Sequence, residues 1–200
     1  MIYLYGAGGH GKVVLDALQK SGLKCNGFID DNQSGSWSGL PVIKSSSIPK
    51  SAKLHLSIGN SHTREKLATL LNSYQFITIK HPSSSIADTA SISNVGCLIT
   101  AHSVIGPDAK IGAHTIVNHG AIVDHDCTVG DYCHIAPNAV LGGNVSIGSH
   151  VLIGAGAVIL PGLTITDNVT IGAGAVVTQN VKTVSTLVGI PAKPINQQLK

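Results

Sequence analysis

The sequence predicts a small α/β, Rossmann-like domain over residues 1–82, followed by a parallel β-helix over 83–200 that ends in a C-terminal tail. Two observations carry that prediction. Large aliphatic residues recur at every sixth position from Ile105 to Val177, and the first eighty residues alternate short apolar runs with helical spacing around a glycine loop.

The aliphatic series is Ile105, Ile111, Val117, Val123, Val129, Ile135, Leu141, Ile147, Ile153, Ile159, Ile165, Ile171 and Val177. Four positions after each comes a small or apolar residue, from Ala109 to Val181, with Leu163 the one large member. A helix needs spacings of three and four, and an alternating strand needs two. A fixed six fits neither. It fits a prism whose three short sides make an 18-residue coil. The aliphatic points inward from each side, and the small residue points inward just past each corner, where converging walls leave little room. Earlier repeats are expected from Ile86, Ile92 and Leu98, with one extra residue near Val104 shifting the phase. The run from about 83 to 181 makes about five coils. Cys127 and Cys133 take the small inward slot, so both are expected to be structural.

In the amino-terminal part, Met1–Tyr5 reads as a strand entering the loop Gly6-Ala7-Gly8-Gly9-His10-Gly11. Val13–Lys20 has helical spacing and Gly22 closes it. Further strands are expected over Lys24–Ile29, ending in Asp30-Asp31, over Leu54–Ile58, ending in Gly59-Asn60, and over Gln75–Lys80. A helix is expected over Thr63–Leu71, and the Ser- and Gly-rich stretch Gln33–Ser47 reads as an exposed loop. In such a parallel unit, ligands lie outside the carboxyl ends of the strands. The loop has the spacing of a dinucleotide fingerprint, with Asp30 near the position of a ribose-binding acid. Free amides at the helix start can cradle a diphosphate. Three readings stay open: the diphosphate of a nucleotide-sugar, a structural tight turn, and NAD. The last is disfavoured because no second mononucleotide half follows.

Candidate chemistry lies where the repeat departs from its own rule. Glycine usually follows the inward aliphatic, yet Asn118 follows Val117 and Asp124 follows Val123. His125 and Asp126 fall at an outward corner, where a carboxylate beside an imidazole raises its basicity. An 18-residue coil stacks Gly143 over His125 and leaves a free backbone amide there. His134 lies half a coil away, on a strand, and is a candidate ligand contact. His102, His114, His119 and His150 read as ordinary histidines. No metal site is expected, because His119 and His125 stand on different walls of one column.

Composition excludes several classes. A net charge of +3 with 12% charged residues is too weak for a nucleic-acid surface. No apolar run reaches the roughly 18 residues needed to span a bilayer, and the amino terminus lacks the features of a signal peptide. The four cysteines have no CxxC spacing and read as reduced thiols in a cytoplasmic protein.

The sequence resembles the sialic-acid O-acetyltransferase NeuD-type family of hexapeptide acyltransferases, and within it the UDP-4-amino-sugar N-acetyltransferases of the bacillosamine pathway. The likeness rests on YGAGGHGK at the start, Asp30-Asp31, SIGN around Gly59, VDHDCTVGDYCHIAPNAVLGGNVSIG from 123 to 148, and the closing VGIPAK. It implies a left-handed coil and a homotrimer with sites in the clefts between neighbouring β-helices. The implied reaction moves acetyl from acetyl-CoA to the 4-amino group of a UDP-linked 4-amino-4,6-dideoxy sugar, without an acyl-enzyme. The likeness assigns Gly8, Gly9, His10, Asp30, Asp31 and Gly59 to the nucleotide-sugar, and Asn118 is added to that set. His125 would be the proton acceptor, tuned by Asp126. His134 and the backbone near Gly143, Ala155 and Ala173 would contact acetyl-CoA. Asp stands at 124 and 126 where the bacillosamine-pathway enzymes that the sequence resembles carry Glu, which bears on the reach to His125. Alternatives are O-acetylation of sialic acid or another sugar, and a non-catalytic nucleotide-binding module.

Overall fold

The structure, a computed structural model, describes residues 1–195; the end of the expected tail, 196–200, lies outside the described residues. The first layer is a six-stranded sheet of β1 (Ile2–Tyr5), β2 (Cys25–Ile29), β3 (Ser36–Trp37), β4 (Leu40–Ile43), β5 (Lys53–Leu56) and β6 (Gln75–Phe76), in the order β3-β4-β2-β1-β5-β6. All neighbours are parallel except β3 and β4. Helix α1 (Gly9–Lys20) follows β1, and α2 (Ser61–Leu70) follows β5. The turn between β1 and α1 needs glycine twice. Gly6 sits at φ +109, and a Cβ on Gly11 would strike the Gly6 carbonyl.

Two expectations for this unit are corrected. Residues 33–47 are not simply a loop: Ser36–Trp37 and Leu40–Ile43 form a hairpin, and β4 extends the sheet beside β2. Ser38 and Gly39 at the turn both have positive φ, as a two-residue type I′ hairpin requires. Trp37, Leu40 and Val42 supply the apolar anchor against the α1 core. The expected strand Gln75–Lys80 is two strands. Gln75–Phe76 pairs with β5, whereas Ile79–Lys80 pairs with Leu98–Ile99 and begins the β-helix.

Two-residue strands then wind into three parallel walls. The first wall carries Ile79, Leu98, Ile116, His134, Leu152 and Thr170 on its outer face, and each pairs with the next along the column. The second carries Ser85, Val104, Ile122, Val140, Val158 and Val176. The third carries Ser91, Lys110, Thr128, Ser146 and Thr164. Every aliphatic of the six-residue series is inside, in one core with Ala109, Ala121, Cys127, Cys133, Ala139 and the other small residues. Burying each large aliphatic contributes about 1.5–3 kcal/mol. Cys127 and Cys133 are fully buried free thiols, as their slot demands.

The phase shift lies earlier than expected. Ile79 pairs with Leu98 and Ser91 with Lys110, each 19 residues on, whereas Leu98 pairs with Ile116, 18 on. The extra residue therefore sits in the turn 93–97, where Gly96 has φ +68. Ile99, not Leu98, is the inward residue of its strand. Leu98 faces out, and with Ile79 and Ile116 it packs against Val14, Leu15 and Leu18 of α1. The α/β unit is thus seated on the lower part of the first wall.

Arg64 of α2 fixes that seat. It is the sole arginine in the chain and is 1% exposed. Its guanidinium donates to the carbonyls of Ile58 and Gly59 on its own unit and to those of His114, Tyr132 and Cys133 on the β-helix, all at 2.7–3.0 Å. Five carbonyl acceptors satisfy a charge that would otherwise be costly to bury. Burial still pulls its pKa down to about 10.

Candidate active site

The first cluster stands at the corner between the second and third walls. Asp126 occupies a left-handed corner position, φ 59, which Asp tolerates because its short side chain can bond locally. Its Oδ2 lies 2.8 Å from His125 Nδ1. A carboxylate only accepts, so Nδ1 carries the proton and Nε2 is left as the basic atom. Asp124 Oδ1 accepts from the His125 backbone N–H at 2.7 Å and pins the turn. Asp is therefore long enough at both positions. The His125 pKa is raised, first by the hydrogen bond it donates to Asp126 and then by the charge of Asp124. One coil on, Gly143 lies against the ring: a Cβ there would overlap the imidazole near Nε2. The space beside Gly143 is filled by the imidazole itself. The Gly143 N–H has no acceptor among the described residues, while its carbonyl accepts from Gly162 N–H.

A second cluster forms where the α/β unit meets the first wall. His10, at the start of α1, and His134 face each other with ring centroids 6.1 Å apart. Asn118 Oδ1 accepts from the His119 N–H at 2.9 Å, which turns its amide nitrogen toward His134 Nε2 at 3.1 Å. His134 Nε2 is then the acceptor and Nδ1 carries the proton, facing Gly59. Desolvation first, and then neighbouring positive charge, lowers both His10 and His134 to about 4. His10 Nε2 is buried without a partner among the described residues. Gly8 and Gly9 border open space at the N-terminus of α1, which has no side-chain cap. Asp30 accepts from the N–H groups of Ala7 and Asn32, and Asp31 from Ser45 N–H and the Tyr5 hydroxyl. Both carboxylates thus brace the loops around the cleft.

Ala155 and Ala173 are exposed on the corner between the first and second walls, stacked through the Gly174 N–H to the Ala155 carbonyl at 2.8 Å. They continue the corner ladder of His119 and Pro137. The sequence-derived residues therefore fall into two groups. Asn118, Ala155 and Ala173 stand at one edge of the second wall, with His134 on the adjoining first wall and His10 and Gly59 of the α/β unit over it, and His125, Asp126 and Gly143 line the other edge. Gly143 and His134, expected together at acetyl-CoA, are separated by that wall within one chain. Sequence reasoning passed over Arg64, whose signal was its being the chain's single arginine.

A β-helix of six-residue repeats carrying an α/β unit on its first coils is the build of a hexapeptide-repeat transferase. The model of the PglD N-terminal domain matches residues 1–71, and that of the bacterial transferase hexapeptide (six repeats) matches 108–143 and 144–179. The acetyltransferase domain of PglB from Neisseria gonorrhoeae FA1090 is 33% identical, with a TM-score of 0.92 over 97% of this chain and 98% of that one. PerB from Caulobacter crescentus, solved in complex with CoA and GDP-perosamine, is 31% identical, with a TM-score of 0.93 over 98% and 97%. GDP-perosamine N-acetyltransferase of Escherichia coli O157:H7 is 32% identical over 142 residues, which span 64% of each chain. The chain belongs to this family of hexapeptide-repeat sugar N-acetyltransferases. No helix among the described residues is long and apolar enough to cross a membrane.

Proposed function

We propose that the protein transfers acetyl from acetyl-CoA to the 4-amino group of a nucleotide-linked 4-amino-4,6-dideoxy sugar, UDP-linked by its likeness to the bacillosamine enzymes. One observation carries the proposal: an exposed imidazole held by Asp126 at 2.8 Å, with Nε2 unprotonated beside a backbone amide that has no acceptor. The amine attacks the thioester carbonyl and gives its proton to Nε2. The Gly143 N–H faces the oxyanion as it forms. The C–S bond then breaks, and the CoA thiolate takes a proton from the imidazolium or from water. PerB binding CoA and GDP-perosamine, and the PglB domain binding acetyl coenzyme A, support the substrate classes.

The complete site lies between copies. The second wall presents Val104, Ile122, Val140, Val158 and Val176 as a half-exposed apolar ladder, whereas the third presents Lys, Thr and Ser. Packing that ladder in a closed threefold ring sets the His125 edge of one chain against the His134 edge of its neighbour. Nucleotide-sugar held at Gly8, Gly9, His10 and Gly59 then reaches the neighbour's base, with acetyl-CoA along the Ala155–Ala173 corner. Four reduced, buried thiols fit a cytoplasmic site of action.

The test is CoA thiol release across UDP- and GDP-linked 4-amino sugars and sialic acid. Turnover is expected with a 4-amino sugar, and His125→Ala is expected to lower it at least about 100-fold with the assembly intact. Turnover confined to hydroxyl acceptors would assign the protein to O-acetylation. Undiminished turnover in the variant would remove the base.

A further inference from the structure

On the far edge of the first wall, corner residues 18 apart along the chain stack their rings up the column. His114 lies over Tyr132 with centroids 5.1 Å apart, Tyr132 over His150 at 5.2 Å, and His62 of α2 closes the stack on His150 at 4.8 Å. All three column residues have positive φ, 54 to 59, where Asn or Gly sits with less strain. Glu65 stands one helical turn after His62, on the same face of α2. Its Oε1 is 3.5 Å from His150 Nε2. One nitrogen from each histidine and one carboxylate oxygen lie within 4.8 Å of one another. The other nitrogen of His150, Nδ1, is buried with no partner among the described residues. None of these residues is among those assigned to substrate or acetyl-CoA, although His62 and His150 border the cleft that Gly59 and His134 also line.

We propose that His62, Glu65 and His150 bind a divalent transition-metal ion of the zinc class, clamping α2 to the β-helix. Two imidazoles and a carboxylate are borderline ligands suited to zinc, cobalt and nickel rather than to magnesium or calcium. The 3.5 Å between Oε1 and Nε2 is close to the separation of two ligands on one tetrahedral ion, so this half of the site is already set. The other half needs a movement. The two imidazole planes are within 9° of parallel, and stacked rings cannot both direct in-plane lone pairs at one ion. His62 is exposed in the first turn of α2 and is free to swing out of the stack. The positive end of that helix opposes a cation there, and the Glu65 carboxylate offsets it. His62 and His150 line a cleft together with Gly59, Asn60, His134 and Thr170.

Cobalt(II) is the probe, titrated into the full-length, tag-free protein with visible ligand-field absorption as the readout and zinc as competitor. The expected result is one cobalt per chain, displaced by zinc. His62→Ala, Glu65→Gln and His150→Asn are each expected to weaken binding at least about 100-fold, the upper range for loss of even an outer partner of a metal ligand. His150→Asn suits the left-handed corner, and His102→Asn, at a matching position with φ 60, is the control expected to bind as the parent does. Absence of cobalt absorption, or binding that survives the three substitutions or is lost with His102→Asn, overturns the proposal and leaves the rings as packing alone. The readout is independent of acetyl transfer, so its failure is separate from failure of that reading.

Discussion

Half a coil separates His125 from His134, and the two rings stand in opposite chemical states. His125 is at a solvent-facing corner with a carboxylate on Nδ1, and its pKa is raised. His134 is roofed by the α/β unit, takes a hydrogen bond on Nε2, and is lowered to about 4. One residue type is an exposed imidazole whose protonated form is favoured in the first place and a covered, neutral acceptor in the second. What differs is cover: a wall face that receives another unit loses its water, whereas a corner keeps it.

The largest expected effect comes from breaking the exposed member of the pair. His125→Ala should cost about 10²–10⁴ in turnover, whereas complementation should recover activity. Mixed assemblies of His125→Ala and His10→Ala chains, measured by thiol release, should be more active than either parent if the two edges come from different copies. Next is Gly143→Ala. Position 143 has an ordinary φ, so the backbone accepts alanine, but the methyl displaces the imidazole. Turnover should fall about 100-fold, as a misplacement of about 1 Å can cost, with an unchanged thermal midpoint.

The covered histidines sharpen the contrast through stability. His10, His55, His114 and His134 are all lowered to about 4 from 6.5, in each case chiefly by desolvation. The unfolded chain therefore binds protons that the folded chain refuses between those values. Stability should be intact above about pH 6.5 and be lost as pH falls toward 4, with net proton uptake on unfolding measurable by calorimetry in buffers of different ionisation enthalpy. The smallest effect is that of Asp126→Asn. Losing the hydrogen bond that raises the His125 pKa should move the acid limb of the kcat/KM profile to lower pH, with a lower plateau from the weaker base.

The column was legible in the sequence because each coil imposes the same local demand, an aliphatic inward and a small residue past the corner. Thirteen successive aliphatics, Ile105 to Val177, meet it, and all are buried. The pairing of Asp126 with His125 followed from the same geometry. The extra residue at 93–97 was misplaced because Leu98 and Ile99 are both apolar, and only the α1 face above decides which one turns inward. The hairpin at 36–43 was hidden by Ser and Gly, whose turn role needs the anchoring of Trp37 and Leu40 to show. The split at 77–78 depended on two partners distant in sequence, β5 and Leu98–Ile99. The role of Arg64 rests on carbonyls up to 69 residues away, which no local pattern encodes.

The Arg64 clasp also gives the molecule a mechanical polarity. Coils of a solenoid touch only their neighbours, so such a column frays from an end. Here one end is held by a guanidinium gripping the carbonyls at 114, 132 and 133 and by Leu98 and Ile116 under α1, whereas among the described residues the coils beyond Ile153 have no such brace. Drawn out from its carboxyl end, the chain should unzip in coil-length steps and then meet a sharp rise in resistance where the clasp begins.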